Sequence, residues 1–374
     1  MRQWLQGSVA YVTGTAEPEY GAEALHSVAD QVTEGPQFSE LTLEDLTWQL
    51  PGGSNVETQT FYIMADSGHL CFAQIIHSNI GFGQEQTQFT CRVYHKEENM
   101  NVWSSTNLQN FAVSEDGHSM SANQASVVLS EDGNKYTLRI SVSPTTIVDV
   151  EFTRTAPGLK AGKNGTTTYG TDANKPWGSM RHIFWPRATV TGTIIADGKA
   201  LDIKGRGLFV HALQGMKPHH AAARWNFANF QGENYSAVMM EFTTPPSYGS
   251  VTVNVGGVAK DGELVLGTVK NTATHVEKKL DEETGWEEPT RIEFNWLEDG
   301  KSKASIDAKL ETRIERVDVL AEIPALLKKL VQGVAGTKPF IYQCVNPVTL
   351  KLTDGDKEIE DNGILFTEAT FISS

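Results

Sequence analysis

The side chains best able to do chemistry are concentrated between Gly205 and Gly232, where Phe209 and His211, and then Trp225 and Phe227, stand two residues apart, with Phe230 close behind. Two-residue spacing places side chains on one face of a strand. Phe209, His211, Trp225 and Phe227 are therefore the candidate lining of an apolar pocket that contains one imidazole. The same pattern fits plain core packing, and Trp103 and Trp185 share that double reading. An imidazole titrates near neutral pH, but acid–base catalysis also needs a positioned partner, and the chain offers none beside His211 in sequence.

Other candidates for chemistry are sparse. His219 and His220 are adjacent, so on a strand they face opposite sides and make a poor metal pair; a solvated turn after Pro218 is expected. Cys71, Cys91 and Cys344 are an odd, widely separated set without a CxxC pair, which predicts reduced, buried thiols and neither a disulfide framework nor a zinc knuckle. HExxH, GxSxG, GxxxxGK[ST] and a strand-borne GxGxxG are all missing, so no enzyme, cofactor or metal site is expected. A formal charge of −15 over 374 residues repels phosphate backbones and argues against nucleic acid. No obligate protein partner is evident.

The elements that must position these residues read as strands. Asp-Gly occurs six times, at Asp116, Asp132, Asp197, Asp261, Asp299 and Asp354, between runs rich in Val, Ile, Thr and aromatics. Asp and Gly both tolerate the positive φ of tight hairpin turns. In Thr145 to Thr155, Val148, Val150 and Phe152 alternate with Asp149, Glu151 and Thr153, so one face is wet. Many short strands argue for an all-β sandwich or barrel. The segment from Ala156 to Lys175 turns to Gly, Asn, Thr, Lys and Pro, as a connector would. We divide the chain into an N-terminal helix at 1–16, a first domain at 17–156, a linker at 157–178 and a second domain at 179–374. One helix is expected after Pro324, with Leu326, Leu327, Leu330, Val331 and Val334 on one face.

At the N-terminus a helical wheel gathers Met1, Trp4, Leu5, Val9, Tyr11 and Val12 on one arc and Arg2, Gln3, Gln6 and Thr13 opposite. No acid precedes Glu17, which suits an anionic membrane surface. Capping an open barrel mouth would use the same face. Burying about five apolar side chains at roughly 1.5–3 kcal/mol each is opposed by ordering about twelve residues at roughly 1–2 kcal/mol each, so any membrane contact is reversible. No run of 18 apolar residues and no signal peptide is present, so the cytosol is the expected compartment and the sequons at Asn164 and Asn234 are expected to stay unmodified.

Three strings carry a resemblance: Ala16-Glu17-Pro18-Glu19-Tyr20-Gly21, His182-Ile183-Phe184-Trp185-Pro186-Arg187, and the run from His211 to Phe227. Together they resemble the fungal survival-factor family over nearly the whole chain. The resemblance implies two tandem lipocalin-like antiparallel β-barrels and ceramide as ligand. It implies non-vesicular ceramide transfer from endoplasmic reticulum to Golgi, support of sphingolipid synthesis, and survival under oxidative stress. It further implies a cytoplasmic protein held peripherally and reversibly on those membranes by its N-terminal helix, with a nuclear pool besides. A more distant similarity links such tandem barrels to carotenoid hydratases, which have an Asp-His pair; here Val210 precedes His211 and the acid is missing at that place.

A ceramide has on the order of thirty methylenes, so at about 0.8 kcal/mol each its unaided exit from a bilayer costs roughly 25 kcal/mol. A carrier must offer an apolar replacement, which an eight-stranded barrel can. The alternatives are a lipid- or isoprenoid-modifying enzyme in the second barrel, using His211 with an unidentified acid, and a stress scaffold whose barrels hold no lipid.

Overall fold

The structure, a computed structural model, describes residues 19–32, 37–80, 85–162, 164–322, 339–354 and 357–373. The chain is mostly β, as its alternating runs predict, and it forms two curled antiparallel sheets. Strands β1 (Leu25–His26), β2 (Phe38–Glu40), β3 (Ser54–Ala65), β4 (Leu70–Ile80) and β5 (Glu85–His95) begin the first sheet. It continues with β6 (Met100–Leu108), β7 (Ala112–Val113), β8 (Met120–Ala122), β9 (Ala125–Leu129), β10 (Lys135–Ser143) and β11 (Thr146–Arg154). Two short strands, β12 (Leu159–Ala161) and β13 (Thr166–Tyr169), precede the long hairpin of β14 (Gly178–Ala196) and β15 (Lys199–Gln214). The order across the sheet is β6-β5-β4-β3-β15-β14-β11-β10-β9-β8-β7.

The second sheet comprises β16 (Arg224–Gly232), β17 (Tyr235–Thr243), β18 (Thr252–Lys260), β19 (Glu263–Thr268) and β20 (Thr272–Leu280). To these it adds β21 (Glu287–Glu298), β22 (Lys301–Lys309), β23 (Arg313–Asp318), β24 (Phe340–Asp354) and β25 (Lys357–Phe371). Its order is β19-β18-β17-β16-β25-β24-β22-β21-β20, with β23 on β24.

Two Asp-Gly pairs show why the hairpins close where they do. Asp197 and Gly198 have φ of 50° and 76°, and Asp299 and Gly300 have 49° and 75°, the paired positive values of the turn that matches strand twist.

Strand pairing corrects the domain division. β14 and β15 lie in the middle of the first sheet, where β15 pairs with β3 from Gly205↔Ala65 to Gln214↔Val56 and β14 pairs with β11. The sheets therefore part after Gln214, not at 157–178. The expected linker contains β12 and β13, which hydrogen-bond to β14. Its Gly- and Thr-rich composition reflects short edge strands and turns.

Alternation then sorts the side chains into three layers. One core fills the curl of the first sheet with Phe61, Ile75, Phe89, Tyr136, Phe152, Trp185 and Phe209 among its members. Another fills the second sheet around Phe230, Phe294 and Trp296. A third lies between the sheets, where the outer face of the first meets the second through Tyr62, Phe72, Leu208, Phe227, Phe242 and Phe366. Cys71, Cys91 and Cys344 are free and buried. The helix expected after Pro324 lies outside the described residues; a short helix, Val319–Glu322, stands just before it. The expected N-terminal helix lies outside them as well.

Candidate functional site

The inter-sheet layer is only partly closed. Tyr94, Trp103, Ala212, Trp225, Met240 and Val345 pack against it while remaining partly exposed, so the seam, or crevice, where the two curled sheets meet is edged by half-buried apolar side chains. Its sequence origin is strand alternation on both walls: Thr60, Tyr62 and Met64 on β3 face away from the first core, and Trp225 and Phe227 on β16 face them. Phe227, Tyr62, Phe72 and Trp103 form a run of aromatic contacts at 5.2, 5.8 and 5.8 Å, and Trp225 pairs with Phe242 at 5.3 Å.

Polar groups sit at one part of this crevice. Glu368 is opposite both Phe227 and Gln343 in the strand register, and its Oε1 accepts a 2.7 Å hydrogen bond from Gln343 Nε2. Burial raises the Glu368 carboxyl above its ordinary value, against the lowering effects of that hydrogen bond and of the Arg92 charge. Glu368 as a residue is half-buried, on a strand whose neighbours Thr367 and Ala369 are buried. Gln343 Oε1 is buried and has no hydrogen-bond partner among the described residues. Arg92 is buried, lies 4.7 Å over the Trp103 ring, and donates to Asn101 Oδ1 at 2.7 Å. Burial, with the Glu368 charge added, holds the Tyr62 phenol well above its usual range. The result is an apolar wall beside the Glu368 carboxyl, the Gln343 amide and the Arg92 guanidinium, the last also paired with Glu315 at 3.4 Å.

The four predicted pocket residues do not share a cavity. Trp225 and Phe227 line the crevice, but Phe209 and His211 point into the core of the first sheet, because β15 lies there and not in a second barrel. Trp185 joins that core, whereas Trp103 belongs to the crevice. Inside the first core His211 does have an acid. Its Nε2 lies 2.7 Å from Glu57 Oε1, and the Glu57 carboxylate also accepts the backbone N–H groups of Gln49 and Leu50, each at 2.8 Å. Burial pushes the Glu57 carboxyl up, but the His211 hydrogen bond and charge and the two N–H donors outweigh it, leaving the pKa below the ordinary value. The pair is 1% and 0% exposed and is closed over by Trp48, 5.6 Å from the His211 ring. It pins the Gln49–Leu50 loop to the first sheet.

His219 departs from expectation too. It lies on a short helix, Pro218–Ala221, is buried, and packs edge-on against His220 at 4.1 Å; burial lowers its pKa to about 3. The membrane-facing candidates Met1, Trp4, Leu5, Val9, Tyr11 and Val12 lie outside the described residues.

Sequence reasoning missed Glu57, Arg92 and Glu368. Two of them carried a signal: Glu57 shares a strand face with Gln59, Phe61 and Ile63, and Glu368 with Phe366, so each is a charged residue on an otherwise inward face.

Comparison with known proteins adds the following. The family model described as the Svf1 family matches residues 2–373. The chain is 50% identical over 382 residues to the ceramide-binding protein svf-1 of Neurospora crassa, with all of both chains covered. It is 48% identical over 383 residues to the ceramide-binding protein svf1 of Schizosaccharomyces pombe, again with full coverage of both. Among solved structures, CghA with Sch210972 aligns with a TM-score of 0.58 at 14% identity, covering 90% of this chain and 99% of that one. Kievitone hydratase from Nectria haematococca aligns with a TM-score of 0.55 at 14% identity, over 89% and 93% of the two chains. At that identity the likeness is one of fold.

Proposed function

The chain belongs to the Svf1 family, and from that premise we propose that it binds ceramide in the crevice between its two sheets and carries it from endoplasmic reticulum to Golgi membranes. The observation that carries this reading is the inter-sheet layer: an apolar, aromatic seam with half-buried Trp103, Trp225 and Met240 at its edge and the desolvated Glu368 carboxyl within it. Ceramide presents two hydroxyls and an amide on two long hydrocarbon chains. The hydroxyls can donate to Glu368 and to the Gln343 carbonyl, while Trp103, Trp225 and Met240 replace the bilayer for the chains. A neutral headgroup satisfies these groups without placing a second charge beside an already desolvated acid.

The reading continues to a carrier, not a catalyst. Two groups that could form an acid–base pair, Glu57 and His211, lack accessible surface, so a reacting atom has no place beside them. Membrane contact falls to the acid-free N-terminal segment, with an affinity low enough for release. Residence in the cytoplasm and peripherally on endoplasmic reticulum and Golgi membranes, and support of sphingolipid synthesis under oxidative stress, complete the proposal.

The test is to purify the chain from cells and identify co-purified lipid by native mass spectrometry, then to measure ceramide extraction from donor vesicles. Parent protein is expected to carry and extract ceramide. Trp225→Ala with Met240→Glu, at half-buried crevice positions, should abolish extraction with the thermal midpoint nearly kept. Unchanged extraction in that variant places the ligand elsewhere, and turnover of the lipid by the parent overturns the carrier reading.

A further inference from the structure

At one end of the first sheet three hairpin turns converge. The turn between β3 and β4 contributes Ser67 and His69, the turn after β5 contributes His95 and Glu98, and the turn between β14 and β15 contributes Lys199. We propose that His69, His95 and Glu98 bind a divalent transition metal of the zinc class, with at least one coordination position left open.

One ligand atom from each of the three lies within 4.8 Å of the others, near enough for side-chain shifts to gather them on one ion. Two imidazoles and one carboxylate are a donor set suited to zinc and its first-row neighbours. The independent observation is His69. It is buried, only 5% exposed, yet its Nε2 has no hydrogen-bond partner among the described residues. Glu98 Oε2 stands 3.7 Å from that nitrogen, too far for a hydrogen bond. Two ligands about 2.0–2.2 Å from a tetrahedral zinc stand roughly 3.3–3.5 Å apart, so only a small shift is needed.

The second shell is already in place. Ser67 Oγ lies 3.0 Å from His69 Nδ1, and the Ser67 carbonyl lies 3.1 Å from His95 Nε2. A ligating histidine characteristically donates its other ring N–H to such an oxygen, which fixes the ring and leaves the far nitrogen bare. That arrangement makes His69 Nε2 and His95 Nδ1 the ligating atoms. His95 Nδ1 now accepts the Glu98 backbone N–H at 3.1 Å, one bond that coordination exchanges. The Lys199 ammonium pairs with the Glu98 carboxylate and competes for it with any bound cation.

The site is independent of the proposed cargo, since it lies on turns outside the crevice, and its test reads metal alone. Full-length protein stripped with a chelator is titrated with Zn²⁺ against a chromophoric competitor and with Co²⁺ by visible absorption. One ion per chain is expected. Glu98→Gln, on an exposed turn where folding is not at stake, should weaken binding by about tenfold or more and remove the Co²⁺ band, taking the size of an outer-shell loss as a lower bound. His69→Ala should lose binding, and Lys199→Gln should tighten it by freeing the carboxylate. Stoichiometric binding that survives both Glu98→Gln and His69→Ala, or falls instead in His220→Ala, overturns the proposal, as does the absence of any one-to-one binding by the parent.

Discussion

At the scale of single residues, the contrast between His211 and Glu57 shows what sequence can and cannot reach. His211 stood out because an imidazole within an aromatic run is conspicuous. Its partner lies 154 positions away, brought near only by the pairing of β15 with β3. A local reading therefore saw half of a buried pair and looked for the acid at Val210. The energetics follow from burial. Removing His211 takes the imidazole partner from the buried Glu57 carboxylate and leaves it only the Gln49 and Leu50 N–H groups, so His211→Ala should cost about 3–5 kcal/mol in denaturant unfolding. Joint replacement by apolar residues, Glu57→Leu with His211→Phe, should recover a substantial part of that loss; a double variant as unstable as the sum of both singles contradicts this account. The pair also sets an acid limit. A carboxyl whose folded pKa lies below its unfolded value stabilises the fold above the unfolded pKa and loses that contribution as pH falls through the folded one. Unfolding free energy of the parent, compared with the Glu57→Gln variant, should therefore converge as pH drops well below about 4.

At the scale of elements, turns were more legible than strand partners. The Asp-Gly pairs mark hairpins because their chemistry is local, and the pairs at Asp197 and Asp299 adopt the expected positive φ at both residues. Which sheet a hairpin joins is a non-local matter, and for β14 and β15 composition pointed the wrong way. These are the two longest strands of the first sheet, and β15 bridges β3 to β14. A chain ending at residue 178 thus lacks Ile183, Trp185, Val190, Ile203 and Phe209 from the first core and leaves β3 and β11 each without one of its two neighbouring strands. It should remain unfolded by near-ultraviolet circular dichroism, while a chain extended to residue 216 should show a cooperative transition. A folded shorter fragment would restore the division at 157–178. Within the hairpin, Gly207 is held by close approach: a Cβ there would meet the Phe152 ring at 2.5 Å and the Tyr62 carbonyl at 2.6 Å. Both neighbours are buried, so Gly207→Ala should destabilise by about 1–3 kcal/mol in the same unfolding assay.

At the scale of the whole molecule, the two sheets are joined by an apolar layer that also encloses titratable groups, and this couples assembly to pH. His182, on β14, is buried between Phe184 and Trp225, the latter from the opposite sheet, and burial lowers its pKa to about 4. His220 and His275 are lowered to about 4 and His219 to about 3, again with burial as the leading cause. Their unfolded values lie near 6.5, so above that pH both states hold these imidazoles neutral and stability is flat with respect to them. As pH falls from about 6.5 toward 4 the unfolded chain takes up protons that the folded chain refuses, and stability declines throughout that window. For His182, the most enclosed at the junction, a depression of this size corresponds to about 3 kcal/mol by pH 4. Urea unfolding at pH 7, 6, 5 and 4 should therefore show a loss that begins above the carboxylate range. His182→Phe, which keeps an aromatic ring against Trp225 without a proton to bind, should flatten part of the slope between pH 6.5 and 4 and leave stability at pH 7 within about 1.5 kcal/mol of the parent. A variant with the parent's full slope would show that the interface histidine is reached by water before the sheets separate.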